Sequence, residues 1–242
     1  MRRIVLDIDY EMVDVYQKAL PQEILRVFQK MLPDHPSEIN TSAYLQESDY
    51  ETTVYVSCGH FEDNSARHVY NLHKFMKILE LYTDAEVHIA YLNKDYEHII
   101  LELIGDERLF EIFGPILGET KRVTIGFPYR IENYRRKMRC PKWIMEPLKL
   151  LLPDHPDYRN TYIVLGGKYG KVNEVYIICE HFECTSTSEV YNIHRFLKIL
   201  EDIFDGSAYL DYLHSSAAIA VFKILYPEDS EVIKELEKES YY

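Results

Sequence analysis

The sequence repeats itself at an offset of 120 or 121 residues, and this repeat constrains the fold more than any other feature. Three pairs of segments match in the same order along the chain: MLPDHP (31–36) with LLPDHP (151–156), VYVSCGHFE (54–62) with VYIICEHFE (175–183), and VYNLHKFMKILE (69–80) with VYNIHRFLKILE (190–201). A repeat of this length is the size of a domain, whereas solenoid repeats are far shorter. The sequence therefore predicts two related units, residues 1–118 and 119–242.

Both units show the same succession of hydrophobic patterns. In the first unit we predict strands at 3–9, 42–48, 53–61, 86–92 and 97–104 and helices at 21–32, 66–82 and 106–113. In the second unit we predict strands at 121–128, 161–166, 172–182, 207–213 and 216–225 and helices at 141–152, 187–204 and 229–239. Pro21 and Pro141 suit a first helical turn, and Ser186 with Glu189 matches a capping box.

The predicted element order is β-α-β-β-α-β-β-α in each unit. Its first six elements resemble the split β-α-β order of ferredoxin-like domains. We therefore predict an α+β fold in which two ferredoxin-like units, produced by tandem duplication, are related by a pseudo-twofold axis. Many activities occur on such folds, so the predicted fold by itself indicates no function.

The duplicated segment LPDHP places His35 and His155 between an aspartate and a proline. Proline cannot continue a helix, it drives the preceding residue towards extended backbone, and aspartate favours turns. A paired Asp-His site is the alternative, but no nucleophile lies beside either histidine. We interpret both segments as turns that end a helix.

A second pair of histidines offers a more specific candidate site. Strand alternation places His60 at the end of an apolar row formed by Val54, Val56 and Cys58. A cluster of imidazoles and a carboxylate where this strand meets the next helix could bind a divalent metal or support acid–base catalysis. The candidate residues are His60, Glu62 and His73 in the first unit and His181, Glu183 and His194 in the second. The alternative is a buried hydrogen-bond network that fixes helix to sheet, and recurrence in both units favours it.

Other possible sites are less specific. Asp7 and Asp9 could share a metal ion on one face of the first strand, but the second unit has Gly126 and Pro128 in their places. The loop GGKYGK at 166–171 resembles a phosphate loop but lacks the closing Lys-Ser/Thr pair, so we interpret it as a hairpin turn. The four cysteines form no CxxC pair. We expect neither a metal nor a cofactor.

Charge divides the two units more clearly than any motif does. Residues 1–120 carry a net charge of −12, and the remaining residues carry −1. The second unit opens with six basic residues close together: Arg130, Arg135, Arg136, Lys137, Arg139 and Lys142. This stretch is a candidate nucleic-acid-binding site, although the total charge of −13 disfavours general nucleic-acid binding. Neutral drift of the surface and attraction between the units are the alternative explanation.

Composition predicts the class of protein. The chain meets acids before any apolar stretch of useful length and has no run of about 18 apolar residues, so we expect a cytoplasmic protein with no signal peptide and no membrane partner. It contains 21 tyrosines, which are favoured at interfaces, and only four glutamines. Scarce glutamine indicates a thermophilic source, where an accessory protein of a virus is one plausible origin.

Three functions follow from these features. The preferred one is a non-enzymatic interaction protein, an inhibitor or accessory protein whose acidic first unit engages a basic, nucleic-acid-binding protein. The second is a metal-dependent hydrolase or nuclease that uses the histidine–glutamate cluster. The third is nucleic-acid binding through residues 130–142.

Overall fold

The structure is a computed structural model, and it describes residues 2–32, 36–48, 50–61, 64–115, 118–152, 157–167, 172–182, 185–227 and 230–239. The strands are β1 (Ile4–Leu6), β2 (Tyr10–Ala19), β3 (Thr41–Glu47), β4 (Thr52–Gly59), β5 (Glu86–Asn93), β6 (His98–Gly105), β7 (Lys121–Ile125), β8 (Tyr129–Ile131), β9 (Arg136–Arg139), β10 (Thr161–Gly166), β11 (Glu174–Glu180), β12 (Ser207–His214) and β13 (Ile219–Leu225). The helices are α1 (Gln22–Met31), α2 (Ala66–Thr83), α3 (Glu107–Phe113), α4 (Lys142–Leu151), α5 (Thr187–Phe204) and α6 (Glu231–Glu239). We call residues up to 115 the first half and residues from 118 the second half.

One antiparallel sheet organises the molecule. Eleven strands pair in the order β7-β2-β3-β4-β6-β5-β12-β13-β11-β10-β9, and β1 pairs separately with β8. Strands β5 and β12 join the two halves at the centre of the sheet. The halves therefore share one sheet, and the α+β class is confirmed.

The helices lie on one face of this sheet and cover its main core. Helix α2 packs against α5 at the centre, with α1 beside α2 and α4 beside α5. The apolar residues at helical spacing in α2 are buried: Val69, Leu72, Phe75, Met76 and Leu79. The ring of Phe75 stacks on that of Phe28 at 4.2 Å between centroids. Truncating a buried phenylalanine of this kind costs about 3–5 kcal/mol. We call this side of the sheet the helix face.

The opposite side of the sheet is rich in tyrosine. Strand alternation sends Val54, Val56 and Cys58 to the helix face, while Tyr55 between them points the other way. A second buried cluster on this side contains the tyrosines 10, 55, 91, 129, 176 and 212. We call this side the tyrosine face.

The ferredoxin-like part of the fold prediction is not confirmed. The sheet is far larger than that of a ferredoxin-like domain. In addition, β2 and β3, the strands on either side of α1, are direct antiparallel neighbours, whereas the two strands of a split β-α-β unit are parallel and separated by another strand. The prediction also missed strand β2 and its second-half counterparts β8 and β9. Pairing shifts register in β2 between Met12 and Val15, with Asp14 at φ 52°, so the period-2 pattern breaks inside the strand.

The segment boundaries follow the sequence more closely. Helices α1 and α4 end at Met31 and Leu151, two residues before the repeated prolines. His35 and His155 lie outside the described residues, so the helix-ending turn remains a prediction. The capping box of Ser186 and Glu189 at the start of α5 is confirmed. None of the helices in the described part of the chain has the length and apolarity that a membrane crossing requires.

Candidate functional site

His60 and His181 lie at the surface. Strand β4 ends at Gly59, so His60 leaves the buried row, and its side chain is 62% exposed. Its Nδ1 lies 4.0 Å from Glu97 Oε2. His181 is also exposed and has a positive φ of 72°. Both histidines therefore sit at surface turns.

His73 and His194 lie between the two central helices. The Nδ1 of His73 is 2.9 Å from the carbonyl oxygen of Thr187, and the Nδ1 of His194 is 2.7 Å from that of Ala66. A carbonyl only accepts, so each Nδ1 carries the proton and donates. These bonds tie α2 to α5, whereas the sequence placed both histidines where a strand meets a helix.

The predicted metal cluster is not assembled by the described residues. No group of three or more histidine, cysteine, aspartate or glutamate side chains among them could hold a metal ion. Glu62 and Glu183 lie outside the described residues, so the full cluster stays a prediction. Asp7 and Asp9 follow β1 and are exposed. A Cβ at Gly126 would stand 2.2 Å from Asp9 Oδ1, so glycine leaves room for this carboxylate.

The predicted basic stretch is divided among several places. Arg130 lines a cleft on the tyrosine face, and Arg136 Nη1 donates to the carbonyl oxygen of Glu237 at 3.0 Å. The Arg135 backbone N–H donates to Leu165, and Lys142 begins α4. Only Lys137 and Arg139 reach a shared surface.

That surface is an open groove of about 810 Å³ beside the outermost strand, β9. We call it the basic edge groove. Its lining includes the cations Lys137, Arg139 and Arg159, the rings Tyr158 and Tyr162, and the acids Asp157 and Glu180. Strand β9 supplies the first two cations, and the turn before β10 supplies Arg159 and Tyr158.

Cations lie over the aromatic rings of this groove. Lys137 Nζ lies 3.6 Å from the centre of the Tyr162 ring, and Lys149 Nζ from α4 lies 4.8 Å from that of Tyr158. Burial first, and then the nearby Glu180 carboxylate, raises the pKa of Tyr162 to about 12. The Tyr162 hydroxyl is therefore protonated at neutral pH and can donate, while the Tyr158 side of the groove stays open to solvent.

The equivalent edge of the first half has different chemistry. Arg139 pairs with Tyr162 as Ala19 pairs with Ser42, which relates the two edges by an offset of 120 residues. The groove cations at 137, 139 and 159 therefore correspond to Gln17, Ala19 and Ile39. The two tyrosines correspond to Glu38 and Ser42. Asn40 and Asn160 fix this alignment, because the Oδ1 of each accepts a 2.8 Å bond from the backbone N–H three residues earlier.

The tyrosine face holds a buried carboxyl that sequence reasoning missed. A bulge in β12 places Asp211 on this face, where it accepts a hydrogen bond from the Tyr129 hydroxyl. Burial raises the pKa of Asp211, and the Lys223 ammonium opposes that shift. A bulge cannot be read from alternation, since it changes which residues share a face. The aspartate inside the otherwise apolar segment YLDYL is the only signal that the sequence offered.

Above this carboxyl lies a cleft of about 300 Å³ with mixed charge. Lys223 Nζ is 3.4 Å from Glu174 Oε1, and the Tyr176 hydroxyl donates to Glu174 Oε2 at 2.9 Å. Arg130 and Asp95 also line the cleft, the latter from the first half. Lys223 and Glu174, two of the charges in this cleft, are therefore paired with each other.

The first half has a serine–histidine contact on the same face. Ser57 Oγ lies 3.0 Å from His98 Nε2, and burial lowers the pKa of His98 to about 4. A neutral histidine can act as a base towards a serine hydroxyl. Ser57 is only 6% exposed, however, so this contact is closed to a substrate in the structure.

No protein-family model, curated protein or solved structure matches this chain.

Proposed function

We propose that the chain is a non-enzymatic binding protein and that the basic edge groove of its second half binds single-stranded nucleic acid. The observation that carries the proposal is that Lys137, Arg139 and Arg159 line one open groove together with Tyr158 and Tyr162. Single-strand binders combine cations that follow the backbone with aromatic rings on which bases stack. Stacking contributes about 1–3 kcal/mol per base, and every base offers a ring face.

The charge of the whole protein limits how strong this binding is. The net charge of −13 repels a polyanion at long range, and salt screens that repulsion over about 8 Å at physiological ionic strength. Contact is therefore confined to the groove. If its three cations neutralise three phosphates, the logarithm of the binding constant falls with the logarithm of salt concentration with a slope of about −2.

A direct test is fluorescence anisotropy with a labelled single-stranded oligonucleotide of about ten nucleotides. The matched variant gives the groove the first-half residues at its cationic positions: Lys137→Gln, Arg139→Ala and Arg159→Ile. We expect at least a tenfold loss of affinity and a salt slope close to zero. The control variant removes equal charge elsewhere through Arg26→Gln, Lys77→Gln and Arg195→Gln. Equal affinity of the wild type and the groove variant would contradict the proposal.

A second candidate function keeps the acidic first half as a surface for a basic protein. Its support is the net charge of −12 over residues 1–120 and the presence of Glu11 and Glu102 where the second half has Arg130 and Lys223. A labelled lysine-rich peptide tests it at low salt. We expect Glu11→Arg with Glu102→Lys to weaken peptide binding and leave oligonucleotide binding unchanged. Unaltered peptide binding would remove this candidate.

We also propose that the two halves arose by tandem duplication. The support is backbone geometry that non-glycine residues rarely adopt. Eight such residues in the described chain have positive φ, and they form four pairs 119 or 121 positions apart: Asp14 with Asn133, His60 with His181, Asp84 with Asp205, and Glu97 with Ala218. Shared unusual geometry at matching positions favours a common ancestor. A homologue consisting of a single half would test this origin.

A further inference from the structure

The first strands of the two halves are exchanged. Strand β1 of the first half pairs with β8 of the second, with Ile4 opposite Ile131 and Leu6 opposite Tyr129. Strand β7 of the second half pairs with β2 of the first, with Val123 opposite Met12 and Ile125 opposite Tyr10. At an offset of 119 residues each pairing becomes the other. Each half therefore donates its first strand to the other half and receives the equivalent strand in return.

The central contact between the halves has the same reciprocity. In the pairing of β5 with β12, Leu92 lies opposite Leu213, which is its own counterpart at an offset of 121. The bridge between Ser65 and Tyr209 becomes the bridge between Ser186 and His88 at the same offset. The helix contacts are related in the same way: His73 forms a hydrogen bond with Thr187, and its counterpart His194 forms one with Ala66, the counterpart of Thr187. The pseudo-twofold axis passes through the Leu92–Leu213 pair.

These contacts meet the definition of an isologous interface, in which residue i contacts j and j contacts i. Such interfaces join identical subunits in most twofold dimers. We propose that the surface between the halves is a dimer interface enclosed within one chain, and that its partner can equally be a half from a second copy of this chain. The strand exchange makes it a swapped interface.

Charge decides which halves pair best. Two second halves carry a small summed charge, since residues 121–242 have a net charge of −1, while two first halves would bring −12 to each side. Like charges at that density oppose association. Second halves should therefore pair with one another as well as with first halves, and first halves should pair with one another least.

The exchange itself can be tested in the intact chain by hydrogen exchange. Leu6→Asp should remove amide protection from Tyr129–Ile131 in the opposite half and leave Tyr10–Met12 protected. The mirror variant Ile125→Asp should do the reverse. Loss of protection at Tyr10–Met12 in Leu6→Asp, or loss at both places in both variants, would overturn the exchange.

The dimer interface can be tested by cutting the chain. A protease site inserted between Gly118 and Lys121 separates the halves covalently after the full chain has folded. Isotopically heavy and light cut samples are then unfolded together in urea, refolded and weighed as intact complexes by native mass spectrometry. We expect mixed complexes of first and second halves and, in addition, second-half homodimers. Complexes that contain only one first and one second half, or folded halves that remain apart, would overturn the proposal.

Discussion

The tyrosine face of the first half and that of the second have tyrosines at the same positions and differ in the charges beside them. Tyr10, Tyr55 and Tyr91 correspond by register to Tyr129, Tyr176 and Tyr212. Across the strand from Tyr55 stands Glu102, whereas Lys223 stands across from Tyr176. The three tyrosines are thus the same in both halves, and the charge opposite one of them, Tyr55 or Tyr176, has the opposite sign.

The buried bulges show the same contrast in the interior. The bulge of β5 contains Ala90, and the equivalent bulge of β12 contains Asp211. A buried carboxyl is costly unless it is paired, and Asp211 has Tyr129 and Lys223 near it. The two halves therefore differ in matched sets of residues, in which a charge and its partner occur together.

The largest expected effect comes from moving that carboxyl to the first half. Ala90→Asp would bury a carboxylate beside Glu102 instead of Lys223, and we expect about 3–5 kcal/mol of destabilisation at pH 7 in urea unfolding. The folded-state pKa of such a group lies above its unfolded value, so the loss grows as pH rises through that window. Ala90→Asn is the size-matched control. Equal stability of the two variants at pH 7 would refute the idea that the bulges are electrostatically different.

The next largest loss of stability comes from removing one tyrosine hydroxyl from the tyrosine face of each half. Tyr129→Phe deletes the hydrogen bond to Asp211 and leaves a buried carboxyl short of a donor, which costs about 1–3 kcal/mol. Tyr10→Phe should cost less, because the Glu102 carboxyl is bound by Tyr55 instead. Urea unfolding of both variants at one pH measures the difference. Equal losses of stability would show that Tyr10 and Tyr129 have equivalent hydrogen bonds in the two halves.

His98 makes the first half sensitive to pH where the second half has Ile219. Burial holds the pKa of folded His98 at about 4, and the unfolded side chain titrates near 6.5. The unfolded state binds more protons between these values, so stability is lost as pH falls from 6.5 to 4. We expect His98→Gln to flatten this decline by about 1–2 kcal/mol.

The measurement is urea unfolding at several pH values, with His60→Gln as an exposed control. A decline in His98→Gln as steep as in the wild type would place the pH sensitivity elsewhere. The carboxyls of Asp211 and Glu102 have the opposite effect on stability. Burial raises the pKa of both groups, so the stability that they contribute is lost as pH rises.

The smallest expected loss of stability concerns the N-terminal caps of the two central helices, α2 and α5. Helix α5 has a capping box in which the Ser186 backbone N–H donates to Glu189 Oε2 at 3.1 Å. At the start of α2, His68 replaces the glutamate and its Nδ1 lies 3.1 Å from Ser65 Oγ. We expect Ser186→Ala to cost about 1 kcal/mol and Ser65→Ala less. Thermal unfolding can rank them, and the reverse order would contradict the assigned caps.

The sequence alone predicted the repeating elements well and the surfaces poorly. Helix bounds could be read because prolines and a 3.6-residue apolar period mark them, as at Pro21 and Phe75. Strand β2 was missed because its bulge at Asp14 interrupts the alternation. The ferredoxin-like fold was not confirmed, because element order does not determine which strands pair.

The candidate groove illustrates the same limit. Lys137 and Arg139 were among the predicted basic residues, but Tyr158, Arg159 and Tyr162 were not. These residues lie some 20 positions further along the chain and meet the basic strand only through the pairing of β9 with β10. Register is a long-range property, so local pattern cannot supply it.

The central claim, that one scaffold carries a binding edge on its second half only, is tested most directly by hydrogen exchange with and without a single-stranded oligonucleotide. We predict new protection at residues 136–139 and 157–162, with none at the equivalent residues 16–19 and 37–42. Protection at the first-half edge, or equal protection at both edges, would contradict it.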